Sequence, residues 1–226
     1  MSGFQLKLLA AAAMLCDHIG YLFFPEFPIF RLIGRIAFPI FCFLISEGCA
    51  FTSHIGQYLR RLFCFALLSE IPYDLVVSGE AVNWRSQNTM FTLLLGASCC
   101  WMIKYYFRAR PVRTVLAVGT LAFAAGPLRF DYGSFGVLLV IAFYLFRSSR
   151  RNAFLCFAGL NLAFSSIRLL APASPWKVHL LEPFALAACL PLTVYNGKRG
   201  RFTWKWFFYL FYPLHLLSLY GLSLLI

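Results

Sequence analysis

The sequence predicts an all-α fold: a polytopic transmembrane helical bundle of about nine spans, forming one domain over residues 1–226. Three observations predict it. The chain is 61% hydrophobic and only 12% charged, with a mean hydropathy of +0.76, whereas soluble domains are about 45–50% apolar and about 25% charged. Apolar runs long enough to span a bilayer recur from end to end. The lysines and arginines also fall into alternate loops between those runs.

A span needs about 20 mostly apolar residues at about 1.5 Å rise each. The first run, 4–24, holds Asp17 and His18 in its interior and lacks an Ala-x-Ala cleavage site. It therefore reads as a retained span and not as a cleaved signal peptide. The second, 30–51, contains Arg35 and Glu47; the third, 59–78, contains Glu70, Pro72 and Asp74; the fourth, 88–107, opens on Asn88. The fifth and sixth, 113–127 and 132–147, are short and edged by Gly and Pro, so they also admit a re-entrant pair that leaves the other spans' orientation unchanged. The last three are 152–170, 178–195 and 205–225, with His215 in the ninth.

Fourteen of the 20 Lys and Arg residues lie on the N-terminal side of this topology, among them Lys7, Arg60, Arg61 and four in 198–205. Five (Arg31, Arg85, Arg129, Arg168 and Lys177) lie opposite, and Arg35 falls within a span. Cations collect in cytoplasmic loops, which puts the N-terminus inside and the C-terminus outside. The net charge of +12 is thereby explained by topology, and no nucleic-acid partner is expected. All eight cysteines sit in apolar runs without CxxC or Cys/His spacing. They read as packing thiols, and no metal site is expected.

Charged groups inside spans are costly and default to functional hypotheses. His18 stands eleven residues beyond Lys7, about 16 Å along a helix and near the midplane. Glu70 and His215 reach a similar depth; Arg35, Asp74, Asn88 and Asp131 fall in the outer half, and Glu47 near the inner surface. Lys7, Ala11, Met14 and His18 share one helix face, and Ala10 to Ala13 keep that helix slender for a partner's close approach. Glu70 and Asp74 share a face across Pro72. Asp17 points about 100° away from His18, so it suits an ion pair with Arg35 better than a role in orienting the imidazole. The bland alternative is that these groups form only ion pairs locking helices together, Arg35 with Asp17 or Asp74, and that Glu47 snorkels.

The stretches LCDHIG, RLIGRIAFPIFCFLISEG, LRRLFCFALLSEIPYD, NTMFTLLLG, YGSFGVLLVIAFYLFR and FYPLHLL, in that order from about residue 5 to 220, resemble the TraX family. That family's namesake acetylates the N-terminus of F pilin in conjugation systems. The chain is also similar to acyltransferase-3-type membrane enzymes, which carry a basic residue, ten intervening residues and a catalytic His in their first span, as Lys7 and His18 do here. At 226 residues this sequence reads as smaller than typical members of that group, and an appended soluble domain is not expected.

The resemblance implies an acetyl-CoA-dependent acyltransferase in a bacterial-type cytoplasmic (inner) membrane. It would N-acetylate an amine, such as the terminus of a pilin-like peptide, presented from the extracytoplasmic side; a hydroxyl acceptor stays open. His18 would be the general base, with Glu70, Asp74 or His215 orienting it or the acceptor, and Arg35 stabilising the thioester oxyanion or pairing with Asp17. Lys7, Arg60 and Arg61 would hold the CoA phosphates. Asp17, Asn88 and Asp131 complete the set on the acceptor side. The competing readings are an ion-coupled transporter using the same midplane acids and histidines, and a membrane scaffold with structural ion pairs.

Overall fold

The computed structural model describes residues 1–169, 181–200 and 204–225, Lys205 by its backbone alone. Lys177, Arg201 and the first residues of the eighth expected span lie outside the described residues. The regular structure among the described residues is helical, apart from one isolated bridge between Gln87 and Phe130. The helices are α1 (Gly3–Phe23), α2 (Pro28–Gly34), α3 (Ala37–Phe51), α4 (Ile55–Ser78), α5 (Thr89–Tyr106), α6 (Pro111–Ala124), α7 (Gly133–Leu145) and α8 (Arg150–Leu169). A 3₁₀ turn (Glu182–Ala188) then leads into α9 (Cys189–Thr193), and α10 (Lys205–Ser223) follows.

Each expected apolar run carries a helix, the second in two pieces that meet at Arg35 and Ile36. Among the described residues, three stretches are long and apolar enough to cross a membrane by length and composition: Gly3–Phe23, Pro28–Phe51 and Arg150–Leu169. Pro111–Ala124, Gly133–Leu145 and Glu182–Thr193 are apolar but shorter, and the 24-residue α4 is made more polar by Arg60, Arg61, Glu70 and Asp74. Local chemistry sets the helix ends. Ser2 and Gln5 form a reciprocal capping box at the start of α1. Pro28 and Pro111 open α2 and α6, where a missing N–H costs nothing. Gly79 closes α4 at φ 73°, a left-handed conformation that glycine adopts without a Cβ penalty.

Nine of the thirteen residues of α7 are buried, so this helix is apolar around its circumference and acts as the hub of the bundle. Its Val137, Leu139, Val140 and Phe143 pack against α5, α3 and α8. The periphery is the reverse of a soluble protein's. Leu67 and Ile71 on α4, Leu116 and Phe123 on α6, Leu155 and Leu162 on α8, and Leu214 and Leu217 on α10 are exposed. Such a girdle is consistent with lipid as the solvent.

The α1–α2 hairpin is tightly packed around Asp17. A Cβ added at Gly20 would lie 2.3 Å from Phe30 Cβ, and one at Gly34 would lie 2.1 Å from Asp17 Oδ1. Gly34→Ala must therefore push the Asp17 carboxylate aside. The expected loss is about 1–3 kcal/mol, read as a lower thermal midpoint of the detergent-solubilised protein. Gly119→Ala, where an added Cβ meets open space, should leave the midpoint unchanged or raise it.

Candidate functional site

The site begins with two helices that approach closely because one of them is small-faced. Ala10, Ala11 and Ala13 of α1 are buried, and α10 packs along α1 on one side and α4 on the other. The contact brings His18 Nδ1 to 3.0 Å from His215 Nε2. His215 Nδ1 lies 2.7 Å from the Phe211 carbonyl oxygen one turn earlier, and the Phe211 ring stacks on the imidazole at 4.9 Å and 9°.

These two distances fix the proton positions when each ring carries one proton. A carbonyl only accepts, so His215 Nδ1 holds its proton and Nε2 presents a lone pair. His18 must then donate its Nδ1–H to that lone pair, which leaves His18 Nε2 unprotonated. His215 is buried at 6% exposure whereas His18 is half-buried. The arrangement is an oriented base: His18 retains the accessible surface, and His215 fixes its tautomer.

At the other end of α1, the Lys7 ammonium lies 5.5 Å above the Phe208 ring of α10. It shares the α10-facing side with His18, as the helix phase predicts. Gly3 N–H donates to Lys198 O at 2.8 Å and Phe4 N–H to Arg199 O at 3.0 Å. The loop after α9 thus lies along the first turn of α1, with Arg199 in electrostatic range of Lys7. The expected cation trio divides. Arg61 turns inward beside Tyr209 of α10, whereas Arg60 is exposed and lines a lateral groove with Phe63, Phe91 and Phe130. Consecutive residues on a helix cannot face one partner. Arg199 was missed because only the backbone pairing of its loop, invisible to helical periodicity, brings it to Lys7.

The acidic residues take partners away from the imidazoles. Asp17 pairs with Arg31 and not with the expected Arg35. The reason is local: Arg31 and Gly34 share the α2 face that presses on α1 at Asp17. Glu70 accepts from Asn88 N–H at 3.2 Å and from the Asn88 amide, which also donates to Ala66 O at 2.8 Å. Asp74 accepts from Asn83 N–H at 2.8 Å. Asp131 accepts from the Thr89 hydroxyl at 2.6 Å, and the Thr92 hydroxyl bonds its carbonyl. With the bridge from Gln87 to the 129–131 segment, these groups brace the two loops at that end of the bundle. Of the expected orienting groups, His215 is the one bonded to His18.

Arg35 lines a separate cavity between α3, α7, α8 and the 3₁₀ turn. Glu47 accepts from the Tyr195 hydroxyl at 3.2 Å, a tie between α3 and the segment after α9. Among the described residues no group of three or more His, Cys, Asp or Glu is placed to hold a metal ion.

The family model described as TraX protein matches residues 2–223. The probable fimbrial assembly protein FimC, serogroup H1, of Dichelobacter nodosus is 30% identical over 230 residues, covering 95% of this chain and 93% of its own length. Protein TraX of Escherichia coli is 27% identical over 222 residues, covering 97% of this chain and 86% of its own length. An uncharacterized protein of Rickettsia prowazekii is 28% identical over 157 residues, 67% of this chain and 58% of its own length. No solved structure matches the chain. The family match runs almost end to end and takes in both histidines, Lys7 and the acidic brace: the chain belongs to the TraX family.

Proposed function

We propose that the chain is a membrane-embedded, acetyl-CoA-dependent acyltransferase that N-acetylates an amine, such as a polypeptide terminus, presented from the extracytoplasmic side. The observation that carries this reading is the His18–His215 pair, whose hydrogen bonds leave His18 Nε2 as a free base. The spacing of that base from Lys7, about 16 Å along one unbroken helix, suits a donor held by its phosphates at the cytoplasmic surface with its thioester near the midplane. Relatives named for fimbrial assembly and as TraX favour a pilin-like acceptor. The reading takes the chain as one domain whose apolar helices span the inner membrane about nine times, N-terminus inside. It also makes the chain a small relative of the acyltransferase-3-type enzymes.

In this mechanism His18 Nε2 takes the proton of the amine as the nitrogen attacks the thioester carbonyl. The imidazolium is steadied through Nδ1–H by His215, and the Phe211 carbonyl holds His215 in the accepting tautomer. The C–S bond then breaks, His18 returns its proton to the departing thiolate, and amide and free CoA thiol result. Lys7 and Arg61 flank α10 at the phosphate end, joined by Arg199.

The test is acetyl-CoA binding in nanodiscs, followed by transfer of a labelled acetyl group to a peptide amine. Wild-type protein should bind saturably, and Lys7→Ala should weaken binding about tenfold at low salt, as expected for loss of one charge-assisted phosphate contact. The difference should shrink as salt screens the charge. No saturable binding up to about 1 mM, the upper end of ordinary substrate affinities, sinks the proposal and turns attention to transport.

A further inference from the structure

Arg35 opens onto a cavity whose walls are Phe38, Tyr132, Phe135 and Phe164. Phe38 and Tyr132 stack at 3.6 Å and 6° along one side, and the Arg168–Glu182 ion pair, 2.5 Å apart, lies at its edge. Two polar atoms of the lining have no hydrogen-bond partner among the described residues: Arg35 Nε and Asn161 Oδ1. Asn161 is 3% exposed. Its Nδ2 donates to Glu182 O at 3.2 Å, and because a carbonyl only accepts, the amide cannot be flipped: the unmet atom is the oxygen. Arg35 and Asn161, each with one unmet polar atom, thus line a single aromatic-walled slot, and leaving either atom unmet is unfavourable.

We propose that this slot is a subsite for the main chain of the acceptor polypeptide, with one peptide group held by Arg35 and Asn161. A peptide group is planar and carries one acceptor and one donor. Its C=O takes the Arg35 N–H, and its N–H donates to Asn161 Oδ1. A carboxylate or phosphate would satisfy Arg35 and leave the Asn161 oxygen unmet; an ammonium would do the reverse. The cavity's volume, about 20 Å³, admits one small group, so the rest of the ligand extends beyond it, as a chain does. This assignment rests on the acyltransferase reading, in which a polypeptide supplies the amine.

The probe is a fluorescein-labelled pentapeptide with a free amino terminus, compared with analogues in which each of its first three peptide bonds is replaced by an ester. An ester keeps the carbonyl and removes the N–H. With protein in nanodiscs, one ester should weaken binding about tenfold, the usual worth of a buried hydrogen bond, and Asn161→Leu should bind that ester and the parent peptide alike. Equal binding of all the peptides to wild-type protein, as when a single water fills the slot, overturns the proposal without needing any variant to fold. So does no peptide binding at all, or an undiminished ester penalty in Asn161→Leu. Acetyl-CoA binding measured on the same nanodiscs keeps the two readings apart. Binding of acetyl-CoA without ester discrimination removes the subsite alone; discrimination without acetyl-CoA binding keeps a main-chain site and removes the acyltransferase.

Discussion

On the proposed mechanism, His18→Ala should lower acetyl transfer by about 10²–10⁴-fold, the range for loss of a positioned general base, with acetyl-CoA affinity unchanged. The split follows from position: the imidazole lies eleven residues from Lys7 and touches nothing assigned to the phosphates. His215 acts only through His18, so His215→Ala should cost less, about tenfold, through loss of the acceptor at 3.0 Å. Glutamine tests the tautomer argument, since its side-chain oxygen can stand in for Nε2 and accept the His18 Nδ1–H. His215→Gln should recover part of the rate that His215→Ala loses. The measurement is initial rate at saturating acetyl-CoA for the three variants, each checked for monodispersity. If His215→Gln is no faster than His215→Ala, the accepting role of His215 is wrong. If His18→Ala retains full turnover, so is the base.

The largest stability effect is expected at Asn88, which is fully buried and ties two helices, α4 and α5, together. Its side-chain oxygen caps α5 by accepting from Met90 N–H at 2.9 Å. Its amide donates to Ala66 O on α4 and to the Glu70 carboxylate. Asn88→Ala removes the cap, worth about 1 kcal/mol, and leaves buried acceptors unmet at about 1–3 kcal/mol. A total near 3 kcal/mol should appear as a clear drop in the thermal midpoint. Asn88→Asp separates the two contributions, because it keeps a capping oxygen and replaces the donor with a second carboxyl against Glu70. A wild-type midpoint for Asn88→Asp would show that capping is all this residue does.

The helices were legible in the sequence because apolar length is a strong signal, and each of the nine runs carries one. How far each crosses was less legible. Gly133–Leu145 and Pro111–Ala124 are short, and hydropathy cannot distinguish a hub buried on all sides, as α7 is, from a helix bathed in lipid. The meeting of the two histidines was also legible: counting residues along their expected spans put His18 and His215 at one level, and they lie 3.0 Å apart. Which histidine accepts was not, since that depends on the Phe211 carbonyl, and backbone acceptors leave no trace in composition. Arg31 was overlooked in favour of Arg35 for a related reason. The two stand one turn apart, so spacing cannot choose between them, and the deciding feature is Gly34, the residue without a side chain that lets Asp17 close on α2. The cavity at Arg35 draws on α3, α7, α8 and the 3₁₀ turn, a convergence that no single stretch of sequence displays.

The two histidines are separated by 197 positions along the chain, and that distance matters during biosynthesis. In chain order α1 to α9 all precede α10, so the helix that carries His215 is synthesised after the elements it packs against. Until then His18 lacks His215 as a partner, and Lys7 and Arg61 lack the α10 rings they flank. The pair is thus a reporter of long-range assembly: it exists only once α1 and α10 have come together.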